Sequence, residues 1–358
     1  MNREEAEISH NETESEEEEE EELGHFFGKI QLFGLTSAYL MPIIIVNNIV
    51  TNALILIYAK HLSNSKRALV YYISIALSDL APTIFHYFLD ILIYDGFKHI
   101  TDGQWYIEIN GISDTVCRLQ WLLFGQNLQF NNWLLVLFSI ERFMAVHFPL
   151  RFRNMKARKA MYSIIVLLIL SILYHALFIN RHNSIPEPHH EGEEECMDTD
   201  GSALTLFTIN FTIMYFLLPG FLNTFCNLLI LIKLRNTSKE RSQMLGGRDS
   251  GQGKFDLSTT KTLLFVSFFH FLLVIPAVVS GIITRALYST PGESLDDLAE
   301  TSHIFASLLN FTNISNGISF YVYFTRIPRF RNRILQICSG ETQEAQTSKS
   351  TIETRNLD

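Results

Sequence analysis

The 358-residue chain is 47% hydrophobic and only 18% charged, with a net charge of −9 and a positive mean hydropathy. Its apolar residues gather into runs of about 20 or more, the length needed to cross roughly 30 Å of hydrocarbon, and that excludes a soluble domain. In chain order the spans are expected at Leu35–Lys60, Ala68–Ile93, Val116–His147, Ala160–Ile179, Leu204–Leu234, Thr260–Leu287 and Thr301–Phe324. The third is polar in places and the fourth is short. The predicted class is an all-α membrane protein, a seven-helix bundle. It divides into an acidic outer tail (1–34), the bundle (35–325), a short amphipathic inner helix (326–338) and an inner tail (339–358).

Sidedness follows from basic residues, which favour the cytoplasmic face. Lys60, Lys66 and Arg67 follow the first span. Arg151, Arg153, Lys156, Arg158 and Lys159 follow the third, and Lys233, Arg235, Lys239 and Arg241 follow the fifth. Arg326, Arg329, Arg331 and Arg333 follow the seventh. The amino end is therefore expected outside and the carboxyl end inside. The segment MNREEAEISHNETESEEEEEEEL lacks the apolar core of a cleaved signal, so the first span is expected to insert itself. Acid then collects outside, at Glu16–Glu22 and in the second outer loop from Glu187 to Asp200. This reads either as a solvated tail or as a field that attracts a cationic ligand. Asn11-Glu12-Thr13 is a glycosylation sequon on the outer side; those at Asn210, Asn310 and Asn313 fall inside spans and should be silent.

Two of the four cysteines, Cys117 at the top of the third span and Cys196 in the second outer loop, face an oxidising compartment where disulfides persist. A bridge between them would pin the loop across the mouth of the bundle. Cys226 reads as a small buried residue of the fifth span. Cys338 closes a stretch with Ile327, Phe330, Ile334 and Leu335 on one face, suited to palmitoylation or to a plain thiol.

The run LLVLFSIERFMAVHFPLRFR ends an apolar segment in Glu141 and Arg142, charges that are expensive there without a purpose. From 117 to 142 there are 25 positions, the spacing between disulfide cysteine and motif arginine in the rhodopsin-like G-protein-coupled receptors, which the chain resembles. Their Asp/Glu-Arg-Tyr motif reads Glu141-Arg142-Phe143 here. Asn52 in NNIVTNALILIYAK, Asp79 in ISIALSDLAP, Pro219 and Pro276 match further family positions, from about Asn52 to Phe330. There are departures too. The sixth span has no tryptophan before its proline and reads His270-Phe271 there, and the fourth also lacks one. Asn227 replaces a common tyrosine. The seventh span ends in NISNGISFYVYFTRIPRFR, with Ser319-Phe320 for Asn-Pro and Tyr323 aligned with the motif tyrosine. That phenylalanine looks like the FMRFamide and myosuppressin group of invertebrate neuropeptide receptors.

The resemblance implies a plasma-membrane receptor and not an enzyme. It would bind an extracellular ligand and activate a heterotrimeric G protein, with arrestin possible at the phosphorylatable inner tail and membrane lipid around it. No nucleic-acid partner is expected. It implies that Arg142 is restrained by Glu141 and by Asp256 at the base of the sixth span, and released on activation, a two-state element biased by ligand. It also implies a polar centre at Asp79 with Asn52, Asn131, Ser315, Asn316 and Ser319, holding a sodium ion or forming an ion-free network. Asp79, Thr83, His86 and Asp90 are spaced to share one helix face. Position 124 is Phe124 where amine receptors carry aspartate, and the seventh span has no lysine for retinal. A basic or amidated peptide fits best, met by Asp90 and Gln126, with His86 and Phe124 as further candidates. A lipid or small-molecule ligand is the alternative. A transporter would show internal repeats, which are absent. His189, His190, Glu191 and Cys196 resemble a metal cluster only weakly, and no metal is expected.

Overall fold

Proline placement explains two of the wide turns in the bundle. A proline inside a helix removes a hydrogen-bond donor, and its ring presses on the carbonyl four residues earlier, which widens the turn there. Wide π turns at Thr36–Leu40 and Thr212–Leu217 precede Pro42 and Pro219 in this way. In the second span the helix Lys66–Pro82 leaves its proline through a wide segment, Thr83–Gly96, before a last α-helical turn, Phe97–Ile100. The computed structural model describes residues 33–109, 112–153, 156–177, 182–186, 194–198, 212–244 and 310–339, with scattered helical positions from 265 to 308.

The first span is the helix Met41–Tyr58, closed by a 3₁₀ turn at Ala59–His61. The third is Asp114–His147, capped by the Ser113 hydroxyl, which accepts from the Val116 amide. A short helix, Pro149–Arg153, joins it to the fourth span, Ala157–Ala176. The fifth runs Leu218–Met244. The seventh ends in Ser315–Arg326, and the inner amphipathic helix is Pro328–Cys338. Four described helices are long and apolar enough to cross a membrane: Phe33–His61, Lys66–Ile100, Ala157–Ala176 and Thr212–Thr237. The third span falls short on composition because it carries Gln126, Asn127, Gln129, Asn131 and Asn132, all buried. Polar helices sit inside a bundle, since lipid offers amides no partners. The fourth takes the opposite place, with Ile165, Val166, Ile169, Leu170 and Leu173 all exposed toward the hydrocarbon.

Inside, the inner half is apolar and aromatic. Tyr71 stacks on Phe138 at 4.8 Å, and Tyr72 meets Phe138 edge-on at 5.4 Å and Tyr323 at 5.1 Å. Ile55, Leu134, Phe330 and Ile334 complete that core. Lipid is as apolar as leucine, so such packing is held by close fit and by polar bonds between helices more than by water exclusion. Trp133 Nε1 donates to the Met214 carbonyl at 2.8 Å, and Ser171 Oγ donates to the Gln126 carbonyl at 3.0 Å.

The all-α expectation holds for the bundle, with one addition outside it. His182–Pro186 and Glu194–Asp198 pair as an antiparallel hairpin with Ser184 opposite Cys196. The inner loop expected to begin at Lys233 begins later, because helix continues to Met244; the first helix-breaking pair is Gly246-Gly247. The fourth span starts and ends three residues earlier than expected, at Ala157 and Ala176. Asn11, His189, His190, Asn210, Asp256, His270 and the tail from 340 lie outside the described residues.

Candidate functional site

Cys117 and Cys196 are joined in a disulfide, with Cα atoms 5.5 Å apart. The bridge ties the second hairpin strand to the start of the third span and so marks one end of the bundle. Cys226 is half-buried and Cys338 exposed, both free.

Beneath this end, on the second and third spans, three of the four ligand candidates meet. His86 Nδ1 lies 3.0 Å from Asp90 Oδ2, and the His86 ring packs 4.1 Å from Phe124. Both side chains keep some exposure, 16% and 17%. Gln126 is buried, and its main-chain carbonyl accepts from Ser171 of the fourth span. Along the stretch expected to align Asp79, Thr83, His86 and Asp90, Thr83 Oγ1 donates to the Asp79 carbonyl at 2.8 Å and His86 faces Asp90. The wide turns after Pro82 change the rotation per residue, so spacing rules for an α-helix stop applying there.

Midway down, Asn131 Nδ2 donates to Asp79 Oδ1 at 2.7 Å. Asn52 does not reach the carboxylate; its Nδ2 donates to the carbonyls of Asn48 at 3.0 Å and Asn316 at 2.9 Å. Asn48 Nδ2 donates to the Asn313 carbonyl at 3.0 Å, and Asn316 Nδ2 to Asn313 Oδ1 at 2.7 Å. The polar centre is thus two linked sets: Asp79 with Asn131, and a ladder of asparagines between the first and seventh spans. Ser315 and Ser319 are buried nearby. A small cavity with room for a water-sized occupant lies between them, lined by Asn127, Asn131, Asn132, Thr312, Asn313 and Asn316 among others. Asn131 Oδ1 and Asn313 Nδ2, of two residues that line it, are buried without a hydrogen-bond partner, and buried polar atoms of that kind call for water or an ion.

At the far end, Glu141 lies between two cations. Its Oε1 is 3.9 Å from Arg67 Nε, it carries a hydrogen bond from Tyr71, and Arg142 adjoins it in sequence. Arg67 also donates to the Phe152 carbonyl at 2.8 Å, with its guanidinium 3.7 Å from the Phe152 ring centroid. Arg142 sits 5.0 Å over the Phe138 ring, within the electrostatic reach of Tyr72 and Tyr323. Its Nε and Nη2 are buried and make no hydrogen bond. Phe143 stacks on His147 at 4.1 Å.

Arg67 and Tyr71 were the functional residues that spacing left unnoticed. A signal existed: with Ile75 and Asp79 they recur every four residues on the buried face. Ser139 and Asn223, which hydrogen-bond between the third and fifth spans with Asn227 donating to Asn223 Oδ1 at 3.0 Å, carried none. Among the described residues no cluster of three metal-ligating side chains occurs.

A helical membrane bundle with a bridged hairpin at one end, a buried aspartate at mid-depth and a Glu-Arg pair at the opposite end is the architecture of a membrane receptor. The family model "7 transmembrane receptor (rhodopsin family)" matches residues 47–316, and the chain belongs to that family, whose members are receptors that signal through G proteins. No curated protein matches it significantly.

Proposed function

We propose that the chain is a plasma-membrane receptor for a basic or amidated peptide, which activates a heterotrimeric G protein through Arg142. The observation that carries the coupling half is the state of Arg142. A buried guanidinium with two idle donors costs on the order of 1–3 kcal/mol per unsatisfied group, and a docked partner that offers carbonyl oxygens would recover it. Glu141, engaged by Arg67 and Tyr71, does not supply them. The disulfide supports the orientation, since it belongs on the oxidising side and puts Arg142 within.

The ligand half rests on Asp90 and His86 below the bridged hairpin, and on the acidic segments of the outer chain. An arginine or amine of a peptide would replace His86 as the partner of Asp90, a charge-assisted contact. In the same reading a sodium ion or a water completes the Asp79–Asn131 set beside the asparagine cavity. The decisive experiment screens amidated peptides for G-protein activation in cells, with Arg142→Ala alongside at equal surface expression. A saturable response lost in the variant is the expected result. Silence across the library, with lipids or other small molecules active instead, would overturn the peptide assignment.

A further inference from the structure

The fourth span turns an apolar face to the hydrocarbon, yet near its hairpin end it buries a histidine that the signalling site does not use, His175. His175 Nδ1 lies 2.8 Å from the Ser171 carbonyl. A carbonyl only accepts, so Nδ1 carries the proton and Nε2 accepts from the hydroxyl of Tyr215. Ser171 ties the same turn to the third span, since its Oγ also lies 3.2 Å from Gln129 Oε1. A Cβ on Gly125 of the third span would lie 2.7 Å from His175 Cδ2, 2.8 Å from Nε2 and 3.3 Å from the Tyr215 hydroxyl. Three spans thus converge on one hydrogen bond because position 125 has no side chain. Tyr215 is fully buried and belongs to the wide turn Thr212–Leu217, a register often kept at functional sites. With Phe216 it packs on buried Val274 of the sixth span, two residues before Pro276, and on Leu128 of the third. Leu128 and Val274 in turn line the small cavity beside Phe124.

We propose that His175 is a positioning residue for signalling: by holding the Tyr215 hydroxyl, it keeps the fifth span packed on Val274 in the restrained form of the receptor. The bond coexists with the arrangement in which Arg142 stacks over Phe138 and Glu141 is held by Arg67. Close-packed clusters exchange one arrangement for another instead of deforming smoothly. Movement of the sixth span past Tyr215 therefore has to displace a ring that the fourth span holds in place. A bond made in one state only biases the equilibrium by its own free energy. For polar bonds between membrane helices that bias is roughly three- to tenfold. The inference rests on the coupling of the receptor to G proteins and needs no assumption about the ligand.

The test measures ligand-free nucleotide exchange by the full-length receptor in lipid nanodiscs, on one purified heterotrimer from each class of G protein, with melting temperature alongside. H175F keeps a ring and deletes the acceptor, Y215F deletes only the donor oxygen, and H175Q keeps an acceptor at about the same reach. H175F and Y215F should each raise exchange by roughly three- to tenfold. H175F/Y215F should go no further than either, because both remove the same bond, and H175Q should stay near wild type. Should H175F fail to fold, Y215F against wild type and H175Q carries the test. A double variant whose rise is the product of the two single effects overturns the proposal, since the residues then act separately. Lowered melting temperature with exchange at the wild-type level also overturns it, because the bond then serves both states equally. R67Q is the control for coupling. A rise in R67Q with none in H175F or Y215F refutes the role of His175 alone, whereas silence in all of them takes the coupling assignment down with it.

Discussion

Gly317 offers a quantitative test of the packing that supports the polar centre. A Cβ built there would lie 2.5 Å from Asn47 Nδ2, 2.7 Å from Asn48 Oδ1 and 3.4 Å from Thr51 Oγ1, so the first and seventh spans touch only because the residue has no side chain. Asn48 is fully buried and spends its Nδ2 on the Asn313 carbonyl; it can yield only by breaking that bond. Gly317→Ala is therefore charged with overpacking, about 1–3 kcal/mol, and with an unmade buried hydrogen bond, about 1–3 kcal/mol more. Taking about 4 kcal/mol as the centre of the summed range, the melting temperature of purified receptor should drop by roughly 8–16 °C. The cause is checked by Asn48→Ala, which makes room at the expense of the same bond. Gly317→Ala added to Asn48→Ala should cost clearly less than Gly317→Ala alone, a non-additivity expected of residues in contact. Unchanged melting in Gly317→Ala, or strict additivity in the double variant, would refute the reasoning.

Arg67→Gln removes the contact to the Phe152 carbonyl and the charge beside Glu141; basal nucleotide exchange is expected to rise several-fold, measured against Arg142→Ala, which should stay silent. Asp79→Asn should abolish any inhibition of agonist binding by sodium at constant ionic strength, and inhibition that persists in the variant would move the ion elsewhere. Cys117→Ala should cost about 4 kcal/mol for a loop with 79 residues of separation, read as loss of surface expression and of ligand binding. Asp90→Asn should weaken an arginine-containing peptide about tenfold more than an analogue with citrulline in its place, since only the charged ligand gains from the carboxylate.

The bundle was legible because lipid imposes one rule on every span, and length plus apolarity expresses it directly. Asn131, which donates to Asp79, was one of five polar residues expected around that acid, because a buried carboxylate needs partners. The asparagine ladder was less legible. Asn48 donates to the main-chain carbonyl of Asn313, and a bond to a carbonyl leaves no trace in the partner's identity. The same holds for Arg67, whose second contact is the Phe152 main chain. From Thr83 to Gly96 the helix is wide, so an α-helical count no longer gives the rotation of His86 and Asp90 relative to Asp79. The third span is polar on more than one side, and its sequence does not say which of its amides faces a ligand. In a membrane protein, then, apolar residues report where the helices are, but a polar residue reports only that it must be satisfied; the partner that satisfies it depends on rotation, and rotation is what wide turns and close glycine contacts set.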